Sequence, residues 1–149
     1  MSEIRIRPLT TDDLAHAAEI LTLLNPETTA AVIAARLKMI LAEYRSYQIY
    51  GAFRGELLTG VTGAWIGTKI WCGRYLEIDN LVVATEHRSC GIGKRLIQYL
   101  EALAKEHECN IIVLDSYAAN RASHRLYHQL GFEIWSFHFI KTIGDWQGR

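Results

Sequence analysis

The run Leu81-Val82-Val83-Ala84-Thr85-Glu86-His87-Arg88-Ser89-Cys90-Gly91-Ile92-Gly93-Lys94-Arg95-Leu96 is the part of this chain best equipped for chemistry with a charged ligand. It reads as an apolar strand, a short polar turn, two glycines one residue apart and an amphipathic helix. The start of a helix carries unpaired N–H groups and a partial positive charge, so such a turn receives anions. Gly91 and Gly93 let the backbone come close to that anion and tolerate positive φ. Arg88 and Lys94 add full positive charges beside it. The ligand that suits this chemistry is a phosphate or pyrophosphate.

Three phosphate-binding turns compete for these residues. A P-loop needs glycine five positions before the Gly-Lys pair and Ser or Thr after it. Arg88 and Arg95 occupy those positions, so it fails twice. The dinucleotide fingerprint needs a small third residue where Leu96 stands. The Arg-x-x-Gly-x-Gly turn that grips the pyrophosphate of coenzyme A is matched in full by Arg88 to Gly93. By itself this short pattern is also what an ordinary strand-to-helix turn looks like. Further on, Asn120, Tyr127 and Gly131-Phe132 follow at the spacing Asn-x6-Tyr-x3-Gly-Phe. Strand, turn and downstream spacing together resemble the GNAT superfamily of acetyl-CoA-dependent N-acetyltransferases. The likeness spans about Tyr75 to Phe132. The ending Ser123-His124-Arg125-Leu126-Tyr127 … Phe139-Ile140-Lys141 looks like small-molecule amine acetyltransferases, aminoalkylphosphonate acetyltransferase among them.

The resemblance implies acetyl transfer from acetyl-CoA to an amine by direct attack in a ternary complex. It implies that the backbone from Arg88 through Ser89, Cys90, Gly91, Ile92 and Gly93 to Lys94 holds the cofactor, with Leu81, Val82 and Val83 along the preceding strand. It assigns the Val83 N–H to the oxyanion, near a bulge where two parallel strands part. Asn120 matches the position that reaches the coenzyme A arm, and Tyr127 the acid for the leaving thiolate. The rival reading of Asn120 is a plain helix N-cap, and that of Tyr127 an aromatic packing its helix on the sheet.

An alkylammonium has a pKa of about 10, so an amine acceptor needs a base, usually a carboxylate. Glu77 and Asp79 lie on the strand before the turn. Residues two apart share a strand face, so Glu77, Asp79, Leu81 and Val83 are expected to point the same way. Glu77 lies fourteen positions before Gly91, where family members with a strand-borne glutamate base carry it. We favour Glu77 as base and Asp79 as substrate anchor or alternative base. The competing reading of both is a solvated strand carboxylate or an arginine partner. Cys90 as a covalent nucleophile has only His87 beside it and ranks low. His124 and His128, four apart on one helix, lack a third ligand, so no metal site is expected. Trp65, Trp71, Tyr75, Trp135, Phe137 and Phe139 can line an amine site by cation–π contact or belong to sheet core or a dimer seam.

The chain has 149 residues, half of them hydrophobic and 21% charged, which suits one domain over 1–149. Sixteen basic residues balance sixteen acidic ones, against a general nucleic-acid binder. There is neither a membrane-length apolar run nor a signal-like N-terminus, and Cys72, Cys90 and Cys109 are unpaired in spacing. A cytoplasmic protein without a membrane partner is expected, acting on a small-molecule amine, with a homodimer plausible by family habit. The alternatives are a protein or peptide N-acetyltransferase, or a non-catalytic acyl-CoA-binding module.

The positioning elements follow from periodicity and breakers. A strand over Ile4–Ile6 stops at Pro8. Helices are expected over Thr10–Leu24, capped by Thr11 or Asp12, and over Thr28–Tyr44. Strands follow over Tyr47–Phe53, Glu56–Ile66 and Trp71–Ala84, the last interrupted near Cys72-Gly73. The clearest helix runs Gly91–His107. A strand over Asn110–Ser116, buried on both faces, precedes a helix Asn120–Leu130 ending at Gly131. An aromatic strand over Phe132–Thr142 and a loose Gly144–Arg149 finish the chain. The result is an α/β (α+β) class with a mixed, mostly antiparallel sheet and helices on both faces. The resemblance adds a central splayed parallel strand pair.

Overall fold

Pro8 has no N–H to give a ladder, and the strand it ends, β1 (Ile4–Pro8), lies at one edge of a five-stranded sheet. The structure is a computed structural model that describes residues 3–146. Residues up to Leu114 form one compact unit and residues from Asp115 onward a second.

In the first unit β2 (Tyr47–Arg54), β3 (Leu57–Lys69), β4 (Gly73–Val83) and β5 (Ile111–Leu114) follow β1 in spatial order. Neighbours are antiparallel except β4 and β5, which run parallel from Tyr75↔Ile111 to Ile78↔Leu114. Asp79 to Val83 lie beyond the last β4–β5 pair. Two helices, α1 (Leu14–Leu21) and α2 (Ala30–Glu43), cover one sheet face. Leu14, Leu21, Ile33 and Leu37 pack there against Tyr47, Ile49, Phe53, Val61 and Val82. The third helix, α3 (Ile92–Glu106), covers the other face, where Ile92 and Leu96 meet Ala52, Leu81 and Val83. Leu96, Ile97 and Leu100 are fully buried. Each such side chain contributes about 1.5–3 kcal/mol by leaving water.

Several local expectations change. The cap before α1 is neither Thr11 nor Asp12. Thr11–Asp13 form a 3-10 turn, and the Asp13 carboxylate accepts from the Thr10 N–H at 2.7 Å and Thr10 Oγ1 at 3.0 Å. Asp13 also accepts both terminal Arg7 nitrogens, at 2.7 and 3.1 Å, so one carboxylate ties the helix start to β1. Arg7 in turn lies 4.1 Å over the Phe53 ring. Strand β5 is half-buried rather than buried on both faces, and among the described residues β4 is its one strand neighbour.

The bulge that the resemblance implies lies in β4, and it causes the largest change in which residues share a face. Gly63 pairs with Asp79, but Val61 pairs with Val82, so β4 carries one extra residue between them. Asn80 absorbs it with φ of 54°. Glu77, Asp79, Leu81 and Val83 therefore do not share a face. Before the bulge Glu77 and Asp79 look toward the α1–α2 side, opposite Trp65 and Gly63. After it Leu81 and Val83 look toward α3. Strict alternation cannot foresee an inserted residue.

In the second unit, α4 (Arg121–Gln129) starts at Asn120 and ends before Gly131, whose φ of 87° is the left-handed conformation expected there. The strand expected over Phe132–Thr142 is not formed: no ladder among the described residues includes it. Aromatic and β-branched residues favour a pleated surface, but a strand exists only through a partner. The parallel pair that the resemblance makes central accordingly lies at one end of the five-strand order. The loose tail expected from Gly144 falls partly outside the described residues, and its described part has no helix or strand.

Candidate active site

The site begins at the start of α3, which like that of α1 has no side-chain cap. Thr29 Oγ1 caps α2 by accepting from Val32 N at 3.3 Å, and Asn120 Oδ1 caps α4 by accepting from Ser123 N at 3.4 Å. At the start of α3 the cap position is Gly91, and no side chain accepts from the amides that follow. By helix geometry those of Ile92, Gly93 and Lys94 have no partner within α3. Gly91 adopts φ of 76°, and Ser89, which is not glycine, adopts φ of 60°. Gly93 lies within the first helical turn, so its small size rather than a left-handed backbone distinguishes it. Arg88, Ser89 and Cys90 are exposed on the turn. Arg88 Nε donates to the Val83 carbonyl at 3.3 Å and so ties the turn to the end of β4.

Ladder geometry places the Val83 amide. Ala84 N donates to Thr59 O at 2.9 Å across the Gly60↔Val83 pair. In an antiparallel ladder this pattern turns the polar groups of the paired residue away from its partner. The Val83 N–H and carbonyl thus point away from β3, on the side where the β4–β5 ladder has already ended.

Glu77 and Asp79 are both half-exposed on the α1–α2 face. Trp65 Nε1 donates to Asp79 Oδ2 at 3.2 Å. Trp65 also touches Tyr47, with ring centroids 4.6 Å apart, and Tyr44, at 5.4 Å. Tyr47 is buried, and burial followed by the Asp79 charge pushes its hydroxyl pKa above the ordinary tyrosine range. Tyr47 and Tyr44 were not singled out from the sequence. A glycine inside a strand marks a close approach, and Gly63 is the signal that could have pointed to Tyr47: a Cβ there would collide with its hydroxyl.

The remaining candidates divide cleanly. Lys69 Nζ lies 4.3 Å over the Tyr75 ring, and Trp71 is exposed. In the second unit Tyr127 stacks edge-on with Phe132 at 6.0 Å. Burial raises the Tyr127 pKa while a hydrogen bond with Ser123 works against it, so the phenol stays protonated at neutral pH. Asn120 takes the cap role. His124 Nε2 donates to the Tyr117 carbonyl at 2.9 Å and His128 Nδ1 to the Phe132 carbonyl at 3.2 Å, which gives both rings local work. Trp135, Phe137 and Phe139 are exposed. Among the described residues no helix is long and apolar enough to cross a membrane.

Comparison with known proteins adds to this geometry. Residues 17–132 match the Acetyltransferase (GNAT) family. The chain is 27% identical over 142 residues to an uncharacterized N-acetyltransferase, YhdJ, of Bacillus subtilis strain 168, covering 94% of this chain and 99% of the relative. A transcriptional regulator from Bacillus halodurans C-125 superposes with a TM-score of 0.86 at 21% identity, over 95% of this chain and all of that one. The aminoglycoside N-acetyltransferase AAC(6')-Iy, solved in complex with CoA, superposes with a TM-score of 0.83 at 20% identity, over 96% of each chain. At these identities the structural likenesses establish the fold.

Proposed function

This chain belongs to the acetyltransferase (GNAT) family, and from that premise we propose that it acetylates the amine of a small molecule. It is an acetyl-CoA-dependent N-acetyltransferase; the proposal concerns its acceptor and the work of each residue. The observation that carries it is the pair of carboxylates, Glu77 and Asp79, on one face of β4 beside the end of the β4–β5 ladder.

The uncapped start of α3 suits a diphosphate, so the fit to acetyl-CoA is good. The amides of Ile92, Gly93 and Lys94 and the charges of Arg88 and Lys94 hold it, with Ser89, Cys90 and Gly91 shaping the turn. Leu81 and Val82 offer backbone groups along the same path, and Asn120 contributes its side chain. The bound cofactor supplies an activated acetyl thioester. Glu77 takes the proton from the acceptor nitrogen, which has no lone pair until then. Asp79 anchors the acceptor. The Val83 N–H is offered to negative charge developing on the carbonyl oxygen, a contribution of about 3 kcal/mol in comparable sites. Tyr127 gives its phenolic proton to the departing sulfur. We take 1–149 as one functional domain, because the family match runs across both compact units. A homodimer in the cytoplasm belongs to the same reading.

A thiol-release screen with acetyl-CoA tests it. Small primary amines are expected to release coenzyme A, with intersecting lines in two-substrate kinetics. Release that responds to peptides but to no small amine would move the acceptor to protein. Parallel lines with a trapped acetyl-cysteine would replace direct attack.

A further inference from the structure

We propose that Arg45, Arg74, Tyr50 and His107 form a second binding site, for a small organic anion, at the end of α3 remote from the glycine turn. The proposal is independent of the acceptor reading above.

Strand alternation builds the cleft. Tyr47 and Ile49 face the α1–α2 side, so Gln48 and Tyr50 between and beyond them face the α3 side. Gln48 pairs with Ala64, and Ile66 lies two residues further along that face of β3. Arg74 stands near the start of β4, Arg45 just before β2 and His107 at the C-cap of α3. Together these residues line a cleft of about 270 Å³. Pockets for drug-sized ligands run about 300–1,000 Å³, so the occupant is compact. The 15 residues of α3, at about 1.5 Å each, put about 20 Å between His107 and the glycine turn. The cleft is therefore separate from the start of α3.

Two observations call for a ligand there. Tyr50 is only 6% exposed, and its hydroxyl has no hydrogen-bond partner among the described residues. Unlike the Tyr47 hydroxyl it is not sealed, and Tyr50 lines the cleft, so a molecule held there can reach it. A nearly buried polar group without a protein partner takes water or a ligand. The second observation is charge. Among the described residues neither the Arg45 nor the Arg74 guanidinium has an ion pair or a hydrogen bond.

Burial, followed by the nearby Tyr99 and Glu106, pushes the Tyr50 pKa up to about 12, so its hydroxyl stays protonated at neutral pH and donates. Glu106 is the opposing charge, and two guanidiniums outweigh it. The complement of this set is a carboxylate or phosphate on a short apolar body. Planar guanidiniums give paired N–H donors to such oxygens. Tyr50 adds an O–H, and Ala64 and Ile66 offer apolar surface. A cation would meet two like charges, and a neutral molecule would leave both guanidiniums unanswered.

The test is residue-resolved NMR on the nitrogen-labelled full chain, titrated with phenyl phosphate, with benzoate and with phenol as the neutral control. The amides of Gln48, Tyr50, Ala64, Ile66 and His107 are expected to shift with at least one anion and not with phenol. Those of Gly91 and Gly93 report the start of α3 separately. A response to benzoate alone assigns a carboxylate ligand, to phenyl phosphate alone a phosphate, and either supports the site. No shift with either anion, or equal shifts with phenol, overturns it. Arg45→Gln and Arg74→Gln, both at exposed positions, are expected to weaken Kd at least fivefold each. Tyr50→Phe keeps the ring and is expected to weaken it at least threefold. Arg36→Gln, at an exposed position on α2, is expected to leave Kd unchanged. Equal weakening in Arg36→Gln would reduce the effect to overall charge and overturn the site. A Kd unchanged in Tyr50→Phe, or in both cleft arginine variants, would leave adventitious binding only and overturn it as well.

Discussion

Glu77 and Asp79 carry the same charge two positions apart, yet their neighbours give them different work. Asp79 is held by the Trp65 indole and faces the Tyr47 hydroxyl, which suits an anchor. Glu77 pairs opposite Trp65, and in the proposed reaction it is the base. We expect Glu77→Gln to lower kcat by about 10²–10⁴-fold at pH 7 while coenzyme A binding, followed by calorimetry, persists. The loss should shrink as the pH approaches 10, where the acceptor amine supplies its own lone pair. A loss of equal size across that range would remove Glu77 as base. Both carboxylates and Tyr127 stand out as candidates by residue type and spacing. The placement of Tyr47 does not, because it depends on a glycine on another strand that leaves room for its ring.

At the scale of elements, α3 and its turn were the most legible part, because glycine, charge and apolar period agree within one short run. The structure adds that α3 has no side-chain cap while α2 and α4 do. Gly91→Ala separates a ligand role from a structural one. Its φ of 76° makes alanine strained by about 1–2 kcal/mol. A Cβ there meets no protein atom within 4 Å, so no further packing cost arises. We expect KM for acetyl-CoA to rise at least tenfold with a drop of a few degrees in Tm. An unchanged KM would make Gly91 a turn residue only. The resemblance led us to expect a bulge near Val83; what it left open is its place at Asn80 and the reversal of faces beyond it. The adjacent polar pair Asp79-Asn80 breaks the alternation, and Asn tolerates positive φ, but neither fixes where an extra residue falls.

At the scale of the molecule, the α1–α2 side of the sheet is joined to β1 through Asp13. Its carboxylate is held well below the usual carboxylate range, first by the Arg7 hydrogen bonds and opposed by burial. A pKa lowered by folding adds stability that is complete above the unfolded value of about 3.9 and lost as pH falls from there toward the native value. We expect Asp13→Asn to cost about 1–3 kcal/mol near neutral pH. Below pH 4 the gap to wild type should narrow, as denaturant unfolding across pH 2–7 would reveal. A gap that stays constant on acidification would mean that the carboxylate acts by shape alone. The strand expected over Phe132–Thr142 belongs to this scale as well. Composition favoured a strand, and among the described residues no ladder partner meets it.

Local rules sufficed for the helices, most strand positions, the glycine turn before α3 and the family, because each depends on neighbours within a few residues or on fixed spacing. Pairing between distant strands decided the rest: which face Asp79 shares with Trp65, where Val83 points, and whether the last aromatic run becomes a strand. Those outcomes depend on cross-strand register. One inserted residue in β4 reverses every face beyond it, and a run that meets no partner among the described residues forms no strand.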